Sequence, residues 1–350
     1  MTPHALLLAP SHGRGGGIER YVQTIQWAFA SQGVDCKRID LEGSGPAAHL
    51  RLLTRSSQVL RSYESPARLV VAHSSLLPTA TAAAGRHGGC PITVLCHGIE
   101  VWGSQLRARH LCEGYLMRRP GVRVVAVSSF TAGVLARGCA ATVLPPGLSQ
   151  HWFSTLVKAG SAAPMRRDPR LRLVTAFRLA DWRDKGLPEL LQALGDLRTP
   201  DVRITVCGSG ESPAALRDLL ARHPLCTLRG GLSDQQLADE LAAADLCVLA
   251  TRTRFGRRPY GEGFGLVLIE AQVAGTPVVA PAHGGSHEAF VDGVTGVVPA
   301  DESAGSLRRT LDRLLRDRPQ LAQMSICAAE WARGTFAPER YAPLAVARLL

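Results

Sequence analysis

The sequence predicts an α/β protein with two domains in tandem, each built on a parallel β-sheet covered by helices. Short apolar runs alternate with amphipathic runs, which is typical of parallel strands joined by crossover helices. The alternation stops once near the middle of the chain and then restarts. The length of 350 residues also exceeds what one ordinary hydrophobic core accommodates.

The composition argues against several classes of protein. The chain is 46% hydrophobic and 20% charged, which is typical of a globular protein rather than a disordered one. No apolar run reaches the roughly 20 residues of a membrane span. Residues 1–9 lack the basic and long apolar regions of a signal peptide. The nine cysteines are an odd number without a C-x-x-C pair, so we expect free thiols, no structural zinc and a cytoplasmic protein.

The first domain is predicted at residues 1–150. Its candidate strands are residues 5–9, 69–72, 92–96 and 122–127. Amphipathic runs such as residues 18–30 and 129–136 follow strands after a turn, and we expect them to be helices that cover the sheet.

Proline and glycine at residues 145–147, and again within residues 160–164, break the alternation and predict a linker at residues 151–168. The second domain is then predicted at residues 169–332. Its candidate strands are residues 172–177 and 204–207, the apolar run after Asp245, and residues 277–280. The runs 304–315, 319–332 and 338–350 predict helices, and residues 333–350 form a separate C-terminal helical segment.

The net charge of +11 is concentrated in the first domain. Residues 1–150 contain 15 basic and 7 acidic side chains, against 25 and 22 in the rest of the chain. One interpretation of the excess is contact with an anionic membrane surface or an anionic acceptor, but a solvated arginine-rich surface is the preferred one, because surface charge alone does not demonstrate association. Nucleic acid is not expected, because no aromatic residues alternate with these arginines. They include Arg107, Arg109, Arg118, Arg119 and Arg123.

The most informative motif is the glycine-rich run at residues 261–270. Glu262 lies in a turn, and Glu270 follows eight residues later in an apolar helical run. Eight residues are close to a whole number of helical turns, so the spacing predicts both carboxylates on one helix face. Gly263 and Gly265 expose backbone N–H groups at the start of that helix. Two acceptors beside a cradle of donors suit a nucleotide sugar, and acidic residues on a helix surface are the plainer alternative.

Three further glycine-rich turns follow predicted strands. Residues 13–20 read Gly-Arg-Gly-Gly-Gly-Ile-Glu-Arg. This run lacks both the dinucleotide fingerprint and the P-loop lysine. It predicts either a turn that faces a phosphate or a sugar, or simply a tight connection between a strand and a helix. Gly208 and Gly210 form a second, weaker example. At residues 231–234, Ser233 or Asp234 is expected to cap a helix, and Leu232 belongs to backbone that could face a base.

Basic side chains follow the first strand of the second domain. Arg178 and Lys185 are predicted to converge on a diphosphate, with an ion-pair network to Asp181 and Asp184 as the alternative. The chain has 37 arginines and only three lysines, so a lysine at 185 favours a functional role. The arginines at 252, 254, 257 and 258 either guard an anionic ligand or form a solvated loop.

His97 follows a strand of the first domain, at the edge where open α/β sheets bind ligands. It is either a donor to a sugar hydroxyl or a structural histidine bonded to a loop carbonyl, with Glu100 and Trp102 ordering the loop. No D-x-D motif and no cluster with metal-ligand spacing occurs, so no metal or other cofactor is expected. A G-x-S-x-G elbow and a kinase motif set are also missing.

Together these motifs resemble the family 4 glycosyltransferases, which have the GT-B fold and retain anomeric configuration. The match runs over both domains. It consists of G-G-G-I-E-R near the start, H-G-I-E at residue 97, A-V-S-S-F-T-A at 126–132, the Arg178/Lys185 pair, G-x-G at 208, G-L-S-D at 231, E-G-F-G-L-V-L-I-E at 262, A-G-T-P-V-V-A at 274–280 and G-G-S-H-E-A-F-V-D-G-V-T-G at 284–296.

The resemblance implies two Rossmann-like domains facing a cleft, with the donor mainly on the second, the acceptor mainly on the first, and the last helices crossing back to the first. Glu270 would hold the ribose hydroxyls. Glu262 and the N–H groups of Phe264, Gly265 and Leu266, after Gly263, would hold the donor sugar. Arg178 and Lys185 would neutralise the leaving diphosphate, Gly16 and Gly17 would close over it, and His97 would lie near the reacting side of the sugar. Two positions depart from the family pattern: the Arg178–Lys185 spacing is longer, which makes Arg183 an alternative to Arg178, and Pro146 replaces an asparagine.

The expected activity is metal-independent transfer of a sugar from a UDP- or GDP-sugar, with UDP favoured by family habit. The acceptor stays open between a small metabolite, an antibiotic precursor, a lipid and a glycan. A GT-B sugar-nucleotide epimerase and a non-catalytic nucleotide-sugar-binding protein are the alternatives; product formation without an acceptor distinguishes the first. The arginine- and alanine-rich composition indicates a bacterial source. The basic first domain is compatible with peripheral contact with the inner face of the cell membrane.

Overall fold

The computed structural model describes residues 3–10, 16–63, 67–98, 108–136, 138–162, 170–197, 202–254 and 260–350. The chain divides into two compact units. The first unit comprises Met1–Ser149, Arg254–Pro259 and Pro338–Leu350, and the second comprises Gln150–Thr253 and Tyr260–Ala337.

The first unit is a six-stranded parallel sheet with the order β2-β1-β3-β4-β5-β6. Its strands are β1 (His4–Ala9), β2 (Asp35–Asp40), β3 (Ala67–Val71), β4 (Ile92–Cys96), β5 (Val122–Ala126) and β6 (Ala141–Val143). Its described helices are α1 (Gly17–Ser31), α2 (Pro46–Arg61), α3 (Leu77–Gly85), α4 (Ala108–Met117), α5 (Ser129–Leu135) and the final α13 (Pro338–Leu349). All five residues of β4 are buried, because helices cover both faces of a parallel sheet.

The second unit repeats the design with the order β12-β11-β10-β7-β8-β9. Its strands are β7 (Leu171–Arg178), β8 (Val202–Ser209), β9 (Cys226–Gly230), β10 (Leu246–Val248), β11 (Val278–Val279) and β12 (Gly296–Val297). Its described helices are α6 (Gln150–Ala162), α7 (Leu187–Gly195), α8 (Ala214–Ala221), α9 (Asp234–Ala242), α10 (Leu266–Val273), α11 (Ala304–Arg316) and α12 (Arg318–Thr335).

The strand order fixes where a ligand can approach each sheet. In the first unit, β2 lies on one side of β1 and the later strands lie on the other side, so the strand order reverses between the neighbours β1 and β3. In the second unit, β8 and β9 lie on one side of β7 and the later strands lie on the other, so the order reverses between β7 and β10. Loops that leave the carboxyl ends of such neighbouring strands diverge to opposite faces and open a crevice between them. The loops after β7 and β10 therefore define the ligand edge of the second unit.

The predicted α/β class with two parallel sheets is confirmed, since each unit is a six-stranded parallel sheet with flanking helices. The expected linker at 151–168 is wrong for its first part. Residues Gln150–Ala162 form α6, which packs against α9 and α10 within the second unit. Trp152, Leu156 and Ala159 recur at helical spacing and are buried, and this apolar stripe outweighs the glycine and proline signals around it.

The final helix returns to the first unit, where α13 packs against α1. Tyr341 of α13 lies flat over Gly147, so closely that a Cβ at 147 would come within 2.3 Å of the ring. Both Tyr341 and Tyr21 of α1 are almost fully buried. The observed boundary falls between residues 337 and 338, a few residues beyond the 332/333 boundary expected from the sequence.

Among the described residues, no helix combines the length and the apolar character needed to cross a bilayer.

Candidate functional site

The candidate site of the second unit lies at the carboxyl edge of its sheet, where β7 and β10 are neighbours. The segment after β7 contains a short 3₁₀ turn, Leu179–Asp181, and leads into α7. The segment after β10 leads to α10. Residues from these two segments meet although they are far apart in sequence.

Close backbone packing brings the two segments together. Gly186 precedes α7 with φ 69°, and a Cβ at this position would lie 1.9 Å from the carbonyl oxygen of Ala250. A side chain at 186 is therefore excluded both by conformation and by space. This contact places Lys185 beside Thr251.

The central interaction is an ion pair between Lys185 and Glu262. Lys185 Nζ donates to Glu262 Oε2 at 2.8 Å, and Thr251 Oγ1 donates to the same oxygen at 2.8 Å. The two charged side chains are only 17% and 12% exposed. The ammonium group also lies 5.7 Å from the ring centroid of Tyr260. These neighbours shield the charge pair from solvent, which strengthens the attraction between its two members.

The charge on Lys185 is stable over the whole physiological range. Burial disfavours the ammonium form, but the carboxylate of Glu262 and the phenolic group of Tyr260 more than offset this and raise the pKa of Lys185 above its ordinary value. Burial, together with Glu262, raises the pKa of Tyr260 to about 12 against the opposing effect of Lys185. The site therefore presents a permanent cation next to a neutral phenol at neutral pH.

Glu262 and Glu270 do not share a helix face, which corrects the expectation from their spacing. Helix α10 begins at Leu266, because Gly265 adopts a left-handed conformation with φ 87° and interrupts the helical path before it. Glu262 lies in the preceding loop, whereas Gly263, Phe264 and Gly265 are buried at the helix start. The N-terminus of α10 thus directs its first N–H groups to the same loop that contains Glu262.

Glu270 is buried inside the second unit rather than displayed on a helix surface. It is 5% exposed, and its Oε1 accepts a hydrogen bond from Trp152 Nε1 at 2.9 Å. Trp152 is itself 2% exposed and comes from α6. A buried indole N–H needs an acceptor, and Glu270 supplies it.

The structure does not bring Arg178 into the Lys185–Glu262 pair. Its guanidinium pairs with Asp181 at 2.8 Å and is half exposed, which is the ion-pair alternative recognised in the sequence. Arg183 stacks over the ring of its neighbour Trp182 at 3.9 Å. Arg252 pairs with Glu189 and Glu302 and so binds structural carboxylates. Residues 257 and 258 lie outside the described residues.

The other glycine-rich turns of the second unit have different roles. Gly208 packs against Leu179, since a Cβ at 208 would lie 2.4 Å from that side chain, whereas Gly210 has open space around it. Leu232 is half buried in the turn before α9. Ser233 caps α9 and forms a capping box with Gln236, as the sequence predicts.

The first unit has its own cluster of polar and aromatic side chains at the carboxyl ends of β3 and β4. His97 Nε2 donates to the carbonyl oxygen of Ala72 at 2.7 Å, which is the structural contact considered in the sequence. The ring of His97 stacks on His73 with centroids 6.3 Å apart and meets the edge of Tyr21 at 5.8 Å. This packing fixes the ring plane of His97.

Helix α1 begins in the same unit directly after Gly16, which has φ 92°, and Gly17 is its first residue. Gly13 and Gly15, together with Glu100, Trp102, Arg107 and the side chain of Arg109, lie outside the described residues. Within the described residues, no group of three or more histidine, cysteine or carboxylate side chains has the arrangement of a metal site.

Three residues at the second site were not identified from the sequence: Thr251, Tyr260 and Trp152. Thr251 and Tyr260 come from a loop whose path the sequence does not reveal. Trp152 lies in the stretch expected to be a linker. A tryptophan followed at helical spacing by apolar residues was the available signal for a buried indole.

Comparison with known proteins identifies the family. Residues 170–331 match the family described as Glycosyl transferases group 1. The chain is 30% identical over 264 residues to the GDP-mannose-dependent alpha-(1-6)-phosphatidylinositol monomannoside mannosyltransferase of Mycolicibacterium smegmatis, which covers 71% of this chain and 67% of that protein. It is 36% identical over 198 residues to the D-inositol 3-phosphate glycosyltransferase of a Mycobacterium species, strain KMS, covering 54% of this chain. The match spans 42% of the length of that relative.

Solved structures show the same fold over nearly the whole chain. Sucrose-phosphate synthase from Thermosynechococcus elongatus superposes with a TM-score of 0.79 at 20% identity and covers 97% of each chain. The Anabaena protein HepE in complex with UDP-glucose superposes with a TM-score of 0.75 at 18% identity and covers 98% of each chain. On the match to the family model, the sequence match to the mycobacterial enzyme and the shared fold, the chain belongs to the group 1 glycosyltransferases and has the GT-B fold.

Proposed function

We propose that this chain is a retaining glycosyltransferase of family 4 that moves a sugar from a nucleoside-diphosphate sugar to a nucleophile, typically a hydroxyl group, of an acceptor. The observation that carries the proposal is the meeting of Lys185 and Glu262 at 2.8 Å, beside the N-terminus of α10 and at the ligand edge of the second sheet. One side chain offers a fixed positive charge for a diphosphate, and the other offers an acceptor for sugar hydroxyls.

The proposed reaction is a front-face transfer. The bond between the anomeric carbon and the diphosphate oxygen loosens, and the acceptor oxygen forms its new bond on the same face of the sugar. The proton of the acceptor passes to the leaving diphosphate oxygen. Lys185, with Arg178 in support, balances the charge that grows on the diphosphate, so catalysis depends on electrostatics and positioning rather than on an enzyme nucleophile.

The remaining roles are proposed from the resemblance. Glu270, oriented by Trp152, is proposed to bind the ribose hydroxyls. Turns at Gly16, Gly208, Gly210 and Leu232 are proposed to approach the donor through their backbone, and His97 to contact the sugar. No metal ion is required by this scheme, and activity that persists in EDTA would support it.

We favour UDP over GDP as the nucleotide. One solved neighbour binds UDP-glucose, whereas one mycobacterial relative uses GDP-mannose. The test is a thermal-shift panel with UDP, GDP, ADP and dTDP. A ligand at 100 times its Kd stabilises the folded state by about 2.7 kcal/mol, so the correct nucleotide raises Tm and the others do not. If none of the four changes Tm, the donor class is wrong.

Radiolabelled donor of the selected nucleotide then distinguishes transfer from the alternatives. Transfer predicts a new glycoside only when an acceptor is present. Conversion of the donor sugar into another sugar without an acceptor would instead identify an epimerase. Binding of the donor with neither transfer nor hydrolysis would identify a non-catalytic protein. Relatives that act on inositol phosphates and phosphatidylinositol mannosides make these compounds the first acceptors to test.

We further propose that the protein works in the cytoplasm against the inner face of the cell membrane. Helix α4 exposes Leu111 and Tyr115 one turn apart, at 61% and 66%, and is followed by the exposed Arg118 and Arg119. Exposed side chains of this kind on a helix, with basic side chains directly after its end, suit an anionic lipid surface. Sedimentation with vesicles containing phosphatidylglycerol, but not with pure phosphatidylcholine vesicles, is the expected result, and equal recovery with both would contradict it.

A further inference from the structure

Glu262 has two carboxylate oxygens that are in different situations. Oε2 accepts from both Lys185 Nζ and Thr251 Oγ1, each at 2.8 Å. A carboxylate oxygen has about two acceptor directions, so these two donors occupy Oε2. Among the described residues none donates to Oε1, and the side chain keeps 12% exposure. Oε1 is therefore the atom of Glu262 that can accept a hydrogen bond from a ligand.

The two donors to Oε2 differ in stiffness. Lys185 reaches Glu262 through a flexible four-carbon stem, whose ammonium group can rotate and follow a ligand. Thr251 is 1% exposed and follows β10 after only Leu249 and Ala250, so its hydroxyl is fixed by the end of a buried strand. If Lys185 turns to a diphosphate, the hydrogen bond from Thr251 to Glu262 is the one that persists.

The backbone of Glu262 is held independently of its side chain. Gly285 N–H donates to the carbonyl oxygen of Glu262 at 2.9 Å, from the 3₁₀ turn Gly285–Glu288. With the main chain fixed there, loss of the Thr251 hydroxyl frees the carboxylate to rotate without displacing the loop. The effect of Thr251 on ligand binding is thus separable from the folding of the loop.

We propose that Thr251 is a positioning residue that orients Glu262 so that Oε1 faces the sugar of the donor, and that it sets affinity for the sugar part of the donor but not for the nucleotide part. The proposal rests on the proposed function, since it assigns the sugar to Glu262 and the diphosphate to Lys185. Thr251 itself is not expected to touch the ligand.

The experiment compares two ligands in each of four proteins by isothermal titration calorimetry. The ligands are the nucleoside diphosphate selected by the thermal-shift panel and the corresponding nucleotide sugar. The proteins are the wild type, Thr251→Val, Thr251→Ser and Thr276→Val. Thr276 is a matched control, because it is equally buried in the second unit and donates to the backbone carbonyls of Leu241 and Ala244, away from the site.

For Thr251→Val we expect the Kd of the nucleotide sugar to rise about tenfold while the Kd of the diphosphate stays at the wild-type value, since a hydrogen bond to a charged group is lost. Thr251→Ser restores the hydroxyl and should restore the ratio of the two Kd values. Thr276→Val should leave that ratio unchanged even if it lowers stability. If Thr251→Val does not fold, Thr251→Ala is compared with Thr251→Ser in the same way.

Two results overturn the proposal. Unchanged affinity for both ligands would show that Lys185 alone orients Glu262. An equal loss for both ligands in a folded variant would show that Thr251 acts on the whole loop rather than on the carboxylate. Failure of the proposed function is visible separately, because the wild-type protein would then bind no nucleoside diphosphate, and the inference would fall with it.

Discussion

Lys185 is surrounded by groups that keep it charged. Glu262 and Tyr260 raise its pKa above the ordinary value in spite of burial, and Thr251 fixes the carboxylate with which it pairs. Removal of one preorganised electrostatic group of this kind typically costs about 10² to 10³ in rate. At the scale of single residues, function therefore depends on a small number of short contacts.

For Lys185→Ala we expect turnover to fall at least about tenfold with the fold intact, because the charge that balances the leaving diphosphate is lost. The measurement is kcat with the donor identified by the thermal-shift panel, together with a circular dichroism spectrum. Lys158→Ala is the matched control, since Lys158 is exposed on α6. A kcat of Lys185→Ala close to that of the wild type would exclude the proposed role.

Element ends, rather than element interiors, build the site. Helix α7 begins where Gly186 packs against the backbone after β10, and α10 begins where Gly265 takes a left-handed conformation. Glycine at these two positions permits the close approach and the change of direction that set Lys185 beside the loop of Glu262. The residues that cannot be replaced by larger ones therefore lie at the start of these helices.

Gly186, just before α7, and Gly195, the last residue of α7, provide a matched test of this point. Gly186→Ala introduces a side chain at φ 69° and against the carbonyl oxygen of Ala250, so we expect a loss of about 2 kcal/mol or more in the free energy of unfolding. Gly195→Ala, at the last residue of the same helix, meets no atom within 4 Å and should be neutral or stabilising by up to about 1 kcal/mol. Urea denaturation measures both, and equal midpoints for the two variants would refute the argument.

The strands that the sequence does not reveal share one position in the fold. They are β2, β6, β9 and β12, and each is an edge strand of its sheet. An edge strand has one neighbour and stays partly exposed, so β2 and β9 contain polar or charged residues and do not form a continuous apolar run. The strands β6 and β12 span only three and two residues. Interior strands such as β1 and β4 are continuous apolar runs and were predicted, as was the cap at Ser233.

The charged members of the candidate site were predictable, but their contacts were not. Lys185 and Glu262 were each named from local motifs, yet they are 77 residues apart and their pairing depends on the order of β7 and β10. Local sequence also could not reveal that Glu270 would face Trp152, 118 residues away, rather than solvent. Contacts between distant segments follow from topology, which periodicity alone does not determine.

At the scale of the whole molecule, many ionisable groups are kept neutral by burial. Burial raises the pKa of Cys207 to about 12, with Glu240 adding to the effect, and that of Cys226 to about 11. Burial and nearby acidic groups also raise the pKa values of Cys36 and Tyr63 to about 12. In the unfolded chain these thiols and phenols ionise near about 8.5 and 10.

The resulting pH dependence has a definite sign. Above about pH 9 the unfolded state has released protons that the folded state still holds, so the free energy of unfolding should fall steadily as pH rises toward about 12. Below about pH 8 these groups contribute no slope. Urea midpoints measured from pH 7 to 11 test this, and Cys207→Ala should reduce the slope. A flat profile up to pH 11 would contradict the prediction.

The return of α13 to the first unit has a consequence for the order in which the protein is made. Tyr341 covers Gly147 and packs beside the region of Tyr21, but it leaves the ribosome only after the whole second unit has been synthesised. Until then the nascent first unit exposes the apolar surface of α1 that α13 will bury. In a fragment that stops at Ser149, this apolar surface of α1 stays exposed. We expect such a fragment to bind chaperones or aggregate unless residues 338–350 are supplied as a separate peptide.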